Sequence, residues 1–226
     1  MIVDGTIHSV ADIEGPEAAG VAPGFQRKYV RLDVLGLIRG QGSIPPQVGY
    51  IVDVPMDSPR LKDMRVLAFA RPVAGRPDQL QLVSRGGQIP WSPRLDSMAR
   101  GIARDLVSGD APPKITGIGN VFHVPGTLPG ESETQIFLET DNGDPISLSI
   151  LRRPHQTPRW AVALGDIVGE AAEPPRRETL LWYRLACGLP ERLPDAALEG
   201  QGAANAAAAR ADYQFVRDSL GPCGRN

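Results

Sequence analysis

The densest run of reactive and sticky side chains in this sequence is Arg152-Arg153-Pro154-His155-Gln156-Thr157-Pro158-Arg159-Trp160. Three guanidinium groups, an imidazole and an indole share one short stretch. Two prolines stiffen it, which lowers the entropy lost when a ligand immobilises a loop. Arginine beside an exposed aromatic is the composition of protein hot spots and of base-stacking platforms alike. Trp182 and Tyr183 lie further along and would extend the same surface. The binding residues expected from sequence are therefore Arg152, Arg153, His155, Arg159, Trp160, Trp182 and Tyr183. The competing reading is a solvated loop whose tryptophan turns back into a core.

Other chemistry finds little support. No GxxxxGK[ST] loop is present, and Gly117-Ile118-Gly119 begins a dinucleotide fingerprint without completing it. The histidines His8, His123 and His155 lack the HxH or HExxH spacing of a metal site. Asp141-Asn142-Gly143-Asp144 offers hard oxygens but none of the rest of a calcium loop. There is no GxSxG elbow, and neither Cys187 nor Cys223 has a histidine close in sequence. No catalytic residue, metal ligand or cofactor is assigned. An enzyme assembled from dispersed residues stays open as a third reading.

The chain has 226 residues, 42% hydrophobic and 22% charged, which suffices for one large or two small packed domains. The formal net charge of −2 argues against nonspecific grip on phosphate backbones, which usually needs a basic surface. The start, Met1-Ile2-Val3-Asp4-Gly5, lacks the basic and apolar regions of a secretory signal. No apolar run is long enough to span a bilayer. A cytoplasmic protein without a membrane is expected, or a periplasmic one if a signal has been removed. The two cysteines are either a bridge tying the C-terminal tail to the preceding domain or two separate thiols in a reducing compartment.

The elements that would hold these residues are mostly short strands. Ile136, Leu138 and Thr140, then Ile146, Leu148 and Ile150, alternate with other residues on either side of Asn142-Gly143, which predicts a hairpin over 134–151 with a type I′ turn. Strands are also predicted around Val30–Val34 and at Tyr50–Val54, Arg65–Ala70, Gln79–Val83, Trp160–Ala163, Asp166–Glu170 and Thr179–Leu185. Gly5-Thr6-Ile7 and Gly119-Asn120-Val121 open the two halves alike, suggesting a duplication in which Ile7 and Val121 both face inward. Ser92-Pro93 starts a helix whose stripe is Leu95, Met98, Ile102 and Leu106, ending at Gly109. The alanine-rich stretch from Ala206 to Leu220 predicts a last helix.

The fold class that results is mostly β: two tandem small five-stranded barrels, OB-like, with a linking helix and a C-terminal helix. Its domains are a first barrel at 1–90, a linking helix at 91–110, a second barrel at 111–190, and a linker with a helical tail at 191–226. Val10–Phe25 and Gly36–Gly49 read as long, nearly uncharged loops, and small β domains bind through such loops. The expected function is a non-enzymatic binding or assembly protein that engages a protein partner. Single-stranded nucleic acid, held by OB-like domains through Arg152, Arg153, Arg159 and Trp160, is the alternative.

Overall fold

The computed structural model describes residues 1–169 and 172–224. The chain is mostly β and divides into two compact units, Met1–Arg104 and Asp105–Asn226. No helix among the described residues is long and apolar enough to cross a membrane.

The first unit contains β1 (Ile2–Asp12), β2 (Phe25–Arg39), β3 (Gln47–Pro55), β4 (Arg65–Val73), β5 (Arg76–Leu82) and β6 (Gln88–Pro90). Period-2 alternation turns Val30 and Leu32 of β2, and Val48, Tyr50, Val52 and Val54 of β3, into a common core. Val3 and Ile7 of β1, Val66, Ala68 and Ala70 of β4, and Leu80 of β5 complete it, with Leu61 entering from the β3–β4 connection. The strand order is β1-β2-β3-β5-β4-β6, and β1 pairs in addition with β4. All neighbours are antiparallel except β3 and β5, which run parallel and pair only at Gly49↔Gln79 and Tyr50↔Leu80. A parallel pair needs its strands to arrive from a crossover, and here the crossover is the β4 antiparallel return. The ring of strands is therefore weakest at this seam.

Two loops are shorter than the sequence suggests. Val10–Asp12 extend β1 and Phe25 begins β2, so the first loop shrinks to residues 13–24; the second shrinks to 40–46, because Gly36–Arg39 prolong β2. Strand pairing between Gly5↔Val34 and Ile2↔Arg39 fixes this extra length. Helix α1 (Pro93–Asp105) starts as expected, with the Ser92 hydroxyl accepting from Leu95 N at 3.2 Å. Its fully buried side chains are Ala99 and Ala103, while Leu95, Met98 and Ile102 of the anticipated stripe are half-buried.

The second unit contains β7 (Ile115–Pro125), β8 (Ser132–Thr140), β9 (Ile146–Arg152), β10 (Arg159–Ala163), α2 (Leu180–Gly188) and α3 (Ala203–Leu220). Its sheet is a four-stranded meander, β10-β9-β8-β7. The β8–β9 hairpin stands where the alternation places it, with Ile136↔Leu148 in register. Its turn is wider than type I′. The last strand pair is Leu138↔Ile146, and only Gly143, at φ +83°, takes the left-handed conformation. The Asn142 side chain accepts from Asp144 N at 3.0 Å instead, an Asx turn that removes the need for a left-handed asparagine.

Residues Thr179–Leu185 are not a strand. Thr179 caps α2, its hydroxyl accepting from Trp182 N at 3.3 Å. An unbroken apolar run such as Leu180-Leu181-Trp182-Tyr183 has no period of its own, so the cap decides the matter. Residues 166–169 also form no strand, and Glu170 of that expected element lies outside the described residues. Among the described residues the second unit thus has four strands instead of five. Ile7 and Val121 are both buried within their own units, yet a six-stranded sheet and a four-stranded meander do not match strand for strand.

Helices α2 and α3 share one core with the meander. Trp182, Leu185, Tyr213, Val216 and Leu220 pack with Ile118, Val121, Ile136, Leu148 and Ile150. Burying each such side chain is worth roughly 1.5–3 kcal/mol, so the tail docks as a structural layer. Cys187 and Cys223 are bridged, with Cα atoms 4.8 Å apart, and fasten the end of α3 to α2.

Candidate functional site

The structure sorts the sequence-expected binding residues into two groups. Arg153, His155 and Arg159 are exposed on the β9–β10 loop, and His155 is held at φ +60°. Trp160 is only 8% exposed and belongs to the core of the second unit. Trp182 is buried as well, its indole donating to Leu220 O at 3.2 Å, and half-buried Tyr183 meets it edge-on at 4.7 Å. A partner surface centred on Trp160 needs that ring partly open with a guanidinium over it. Among the described residues the arginine–tryptophan stacks lie elsewhere, at Arg65–Trp91 (4.0 Å) and Arg177–Trp182 (5.9 Å).

Arg152 is committed internally. Its Nε donates to Asp212 Oδ1 at 2.5 Å, and Asp212 is completely buried on α3. The other Asp212 oxygen accepts from the Thr134 hydroxyl, and His123 Nδ1 sits 2.7 Å from that same hydroxyl. Thr134 can donate to the carboxylate only if His123 carries its proton on Nδ1 and donates to Thr134 in turn. The hydroxyl proton then points at the Asp212 carboxylate, which Arg152 also engages. Threonine, histidine and aspartate are assembled here inside the core, with Thr134 and Asp212 fully buried and no opening to the threonine oxygen. What the cluster does is pin α3 to β7, β8 and β9. The Gln201 side chain assists by bonding the backbone of Val121 and of His123.

The first unit holds a parallel case. Asp4, 2% exposed, is gripped bidentately by Arg65 (2.9 and 2.7 Å), whose guanidinium covers Trp91. The buried Trp91 indole N–H falls short of hydrogen-bond geometry. The Arg100 hydrogen bond holds the Asp96 carboxyl below its usual range, and Trp91 adds a smaller push in the same direction. No group of three or more metal-ligating side chains occurs among the described residues.

A slot of about 790 Å³ lies where β3 and β5 part company. Its floor reaches the core side chains Tyr50, Val52 and Leu80, and its walls carry Ile51, Gln79 and Gln81. Beyond Tyr50, β3 is paired on one side only, to β2 through Ile51↔Tyr29, Val52↔Lys28 and Asp53↔Arg27. Tyr29 lies across Gly49, where an added Cβ would fall 2.0 Å from the phenol oxygen. Only glycine lets that ring cross β3 and accept from Gln79 Nε2 on β5, at 3.0 Å. This side-chain bond closes one end of the slot.

Charge at the rim is uneven. Arg27 pairs bidentately with Asp53 (2.8 and 3.1 Å) and also donates to the backbone of Glu17 and Ala19. That hydrogen bond, helped by the charges of Arg27 and Arg85, holds the Asp53 carboxyl below its usual range against the opposing effect of partial burial. Arg76 and Arg85 are exposed and form no ion pair among the described residues. Ile51, 52% exposed, shares this rim with them. Sequence reasoning passed over these residues because they are spread from 27 to 85 and carry no motif. The one available signal was a pair of strands, at Tyr50–Val54 and Gln79–Val83, with apolar residues on the outward face as well as the inward one.

Comparison of the chain with family models, with curated proteins and with solved structures returns no match.

Proposed function

We propose that this is a non-enzymatic binding or assembly protein that engages another protein through the first unit. The observation that carries the reading is the β3–β5 slot, which combines a one-sided strand edge, exposed Ile51, and Arg76 and Arg85 without ion pairs. An exposed apolar side chain beside a recess offers a partner apolar area to bury on docking. The pairing β1-β2-β3-β5-β4 with β1–β4 supports an OB-like small barrel for this unit, and such barrels bind ligands on the β2–β3 face. Exposed Arg153, His155 and Arg159 supply a second, auxiliary contact in the other unit. The Cys187–Cys223 bridge favours an oxidising compartment over the cytoplasm.

Protein is favoured over single-stranded nucleic acid by one feature. A base-stacking platform needs open aromatic faces, and the slot's aromatics are committed: Tyr50 is buried and Tyr29 is folded over Gly49. The test places a photo-crosslinking benzoylphenylalanine at Ile51 and, as control, at Phe122, which is also exposed. Irradiation in an extract of the native cells should give discrete protein adducts at Ile51 alone, unchanged by nuclease. Adducts of equal yield at both positions, or ones that nuclease removes, would contradict the proposal.

A further inference from the structure

We infer that the β3–β5 slot accepts an extended acidic peptide as an added strand, with alternate apolar residues entering the floor and acidic ones meeting Arg76 and Arg85. This rests on the reading of the first unit as a protein-binding unit and names how the slot would be filled.

Three features of the slot specify that occupant. The first is backbone supply. β3 beyond Tyr50 is bonded only to β2, and β5 beyond Leu80 only to β4, so each presents unpaired N–H and C=O groups to the gap between them. Such an edge binds an extended chain through main-chain hydrogen bonds, whatever the side chains. A nucleic acid cannot supply that ladder.

The second is periodicity. Side chains of an inserted strand alternate between the two faces. One face meets the apolar floor at Tyr50, Val52 and Leu80; the other faces the rim. An occupant with apolar residues at every second position therefore satisfies both.

The third is charge. The slot is lined by three arginines and one aspartate, and that aspartate is neutralised by Arg27. The remaining cations, Arg76 and Arg85, flank the gap with no carboxylate of their own. Acidic side chains at the rim positions complement them, whereas lysines there would be repelled. Both arginines are exposed, so the electrostatic part of the preference weakens as salt rises.

The test uses the full-length protein and three labelled octapeptides, followed by fluorescence anisotropy: alternating Val and Glu, alternating Val and Lys, and the Val/Glu peptide N-methylated at every second residue. The Val/Glu peptide should bind at least tenfold tighter than Val/Lys, and N-methylation should abolish binding by removing ladder donors. The double variant Arg76→Glu, Arg85→Glu should reverse the preference toward Val/Lys; both positions are exposed and unpaired, so the variant should fold. Equal affinity for the acidic and basic peptides, undiminished binding of the N-methylated one, or no binding of any would overturn the inference. If those arms fail while Ile51 still crosslinks to a protein, the strand-addition mode falls and the protein-binding reading stands. If labelled oligothymidine binds the slot and the peptides do not, both fall.

Discussion

Arginine serves opposite purposes in the two units. In the second, Arg152 reaches a buried aspartate contributed by α3, so this member of the expected binding surface serves as internal fastening. In the first, Arg76 and Arg85 flank an open seam without an ion pair, and the one carboxylate of the lining, Asp53, is bonded to Arg27. The composition of the two regions is similar; what differs is whether a distant part of the chain delivers an anion. Arg152 and Asp212 are sixty positions apart, so no local window could reveal that pairing. A cluster of arginine and aromatic residues is therefore evidence of binding only after its internal partners are known.

The largest effects expected from this comparison are on stability, and they fall in the second unit. Trp160→Ala should cost roughly 3–5 kcal/mol, the usual range for emptying a buried aromatic site. Differential scanning calorimetry checks it, and a near-wild-type melt would return Trp160 to the surface. Asp212→Ala should be nearly as severe, on the order of 3 kcal/mol, because Arg152 and the Thr134 hydroxyl lose their common acceptor. Half-exposed Arg152 recovers some solvation, which keeps the loss at the low end. Calorimetry of Asp212→Ala beside Arg153→Ala sharpens the contrast, since exposed Arg153 should shift the melt very little.

Reducing the Cys187–Cys223 bridge, which closes a loop over a sequence separation of 36, should cost about 2–4 kcal/mol. Proteolysis should then begin at the C-terminal tail before the strands. Gly143→Val should follow at roughly 1–3 kcal/mol, because a β-branched residue resists the left-handed φ required there. Chemical denaturation with an unchanged m-value would confirm a local origin.

The smallest effect is a pH dependence. Burial pushes the Tyr213 phenol up from 10.0 to about 12, against opposing help from Arg217. Its folded-state pKa is raised, so its contribution to stability is complete below pH 10 and is lost as pH climbs through about 12. Tyr213→Phe should flatten the stability profile in that window while leaving neutral pH little changed, apart from the bond to Pro190 O.

Local signals carried much of the fold. The β8–β9 hairpin, the Ser92 cap of α1 and the docking of Tyr213, Val216 and Leu220 all follow from patterns within one or two turns of chain. Thr179–Leu185 misled because an apolar run is equally consistent with a buried strand and a buried helix, and the Thr179 cap went unweighed. The β3–β5 seam was illegible for another reason. Its two paired positions, Gly49↔Gln79 and Tyr50↔Leu80, depend on how β4 returns the chain, which is a property of topology. Arg27, Ile51, Arg76 and Arg85 meet only after that topology exists.

Amide hydrogen exchange along β3, resolved residue by residue by NMR in the unliganded protein, reports the seam most directly. Gly49 and Tyr50 are paired on both sides of β3 and should exchange slowly. From Ile51 to Val54, amides bonded to β2 should be protected while those facing the slot exchange rapidly, giving an alternating pattern that addition of the Val/Glu peptide flattens. Uniform protection from Val48 through Val54 without peptide would mean that β3 and β5 are zipped along their length, and that no open edge exists for a partner to use.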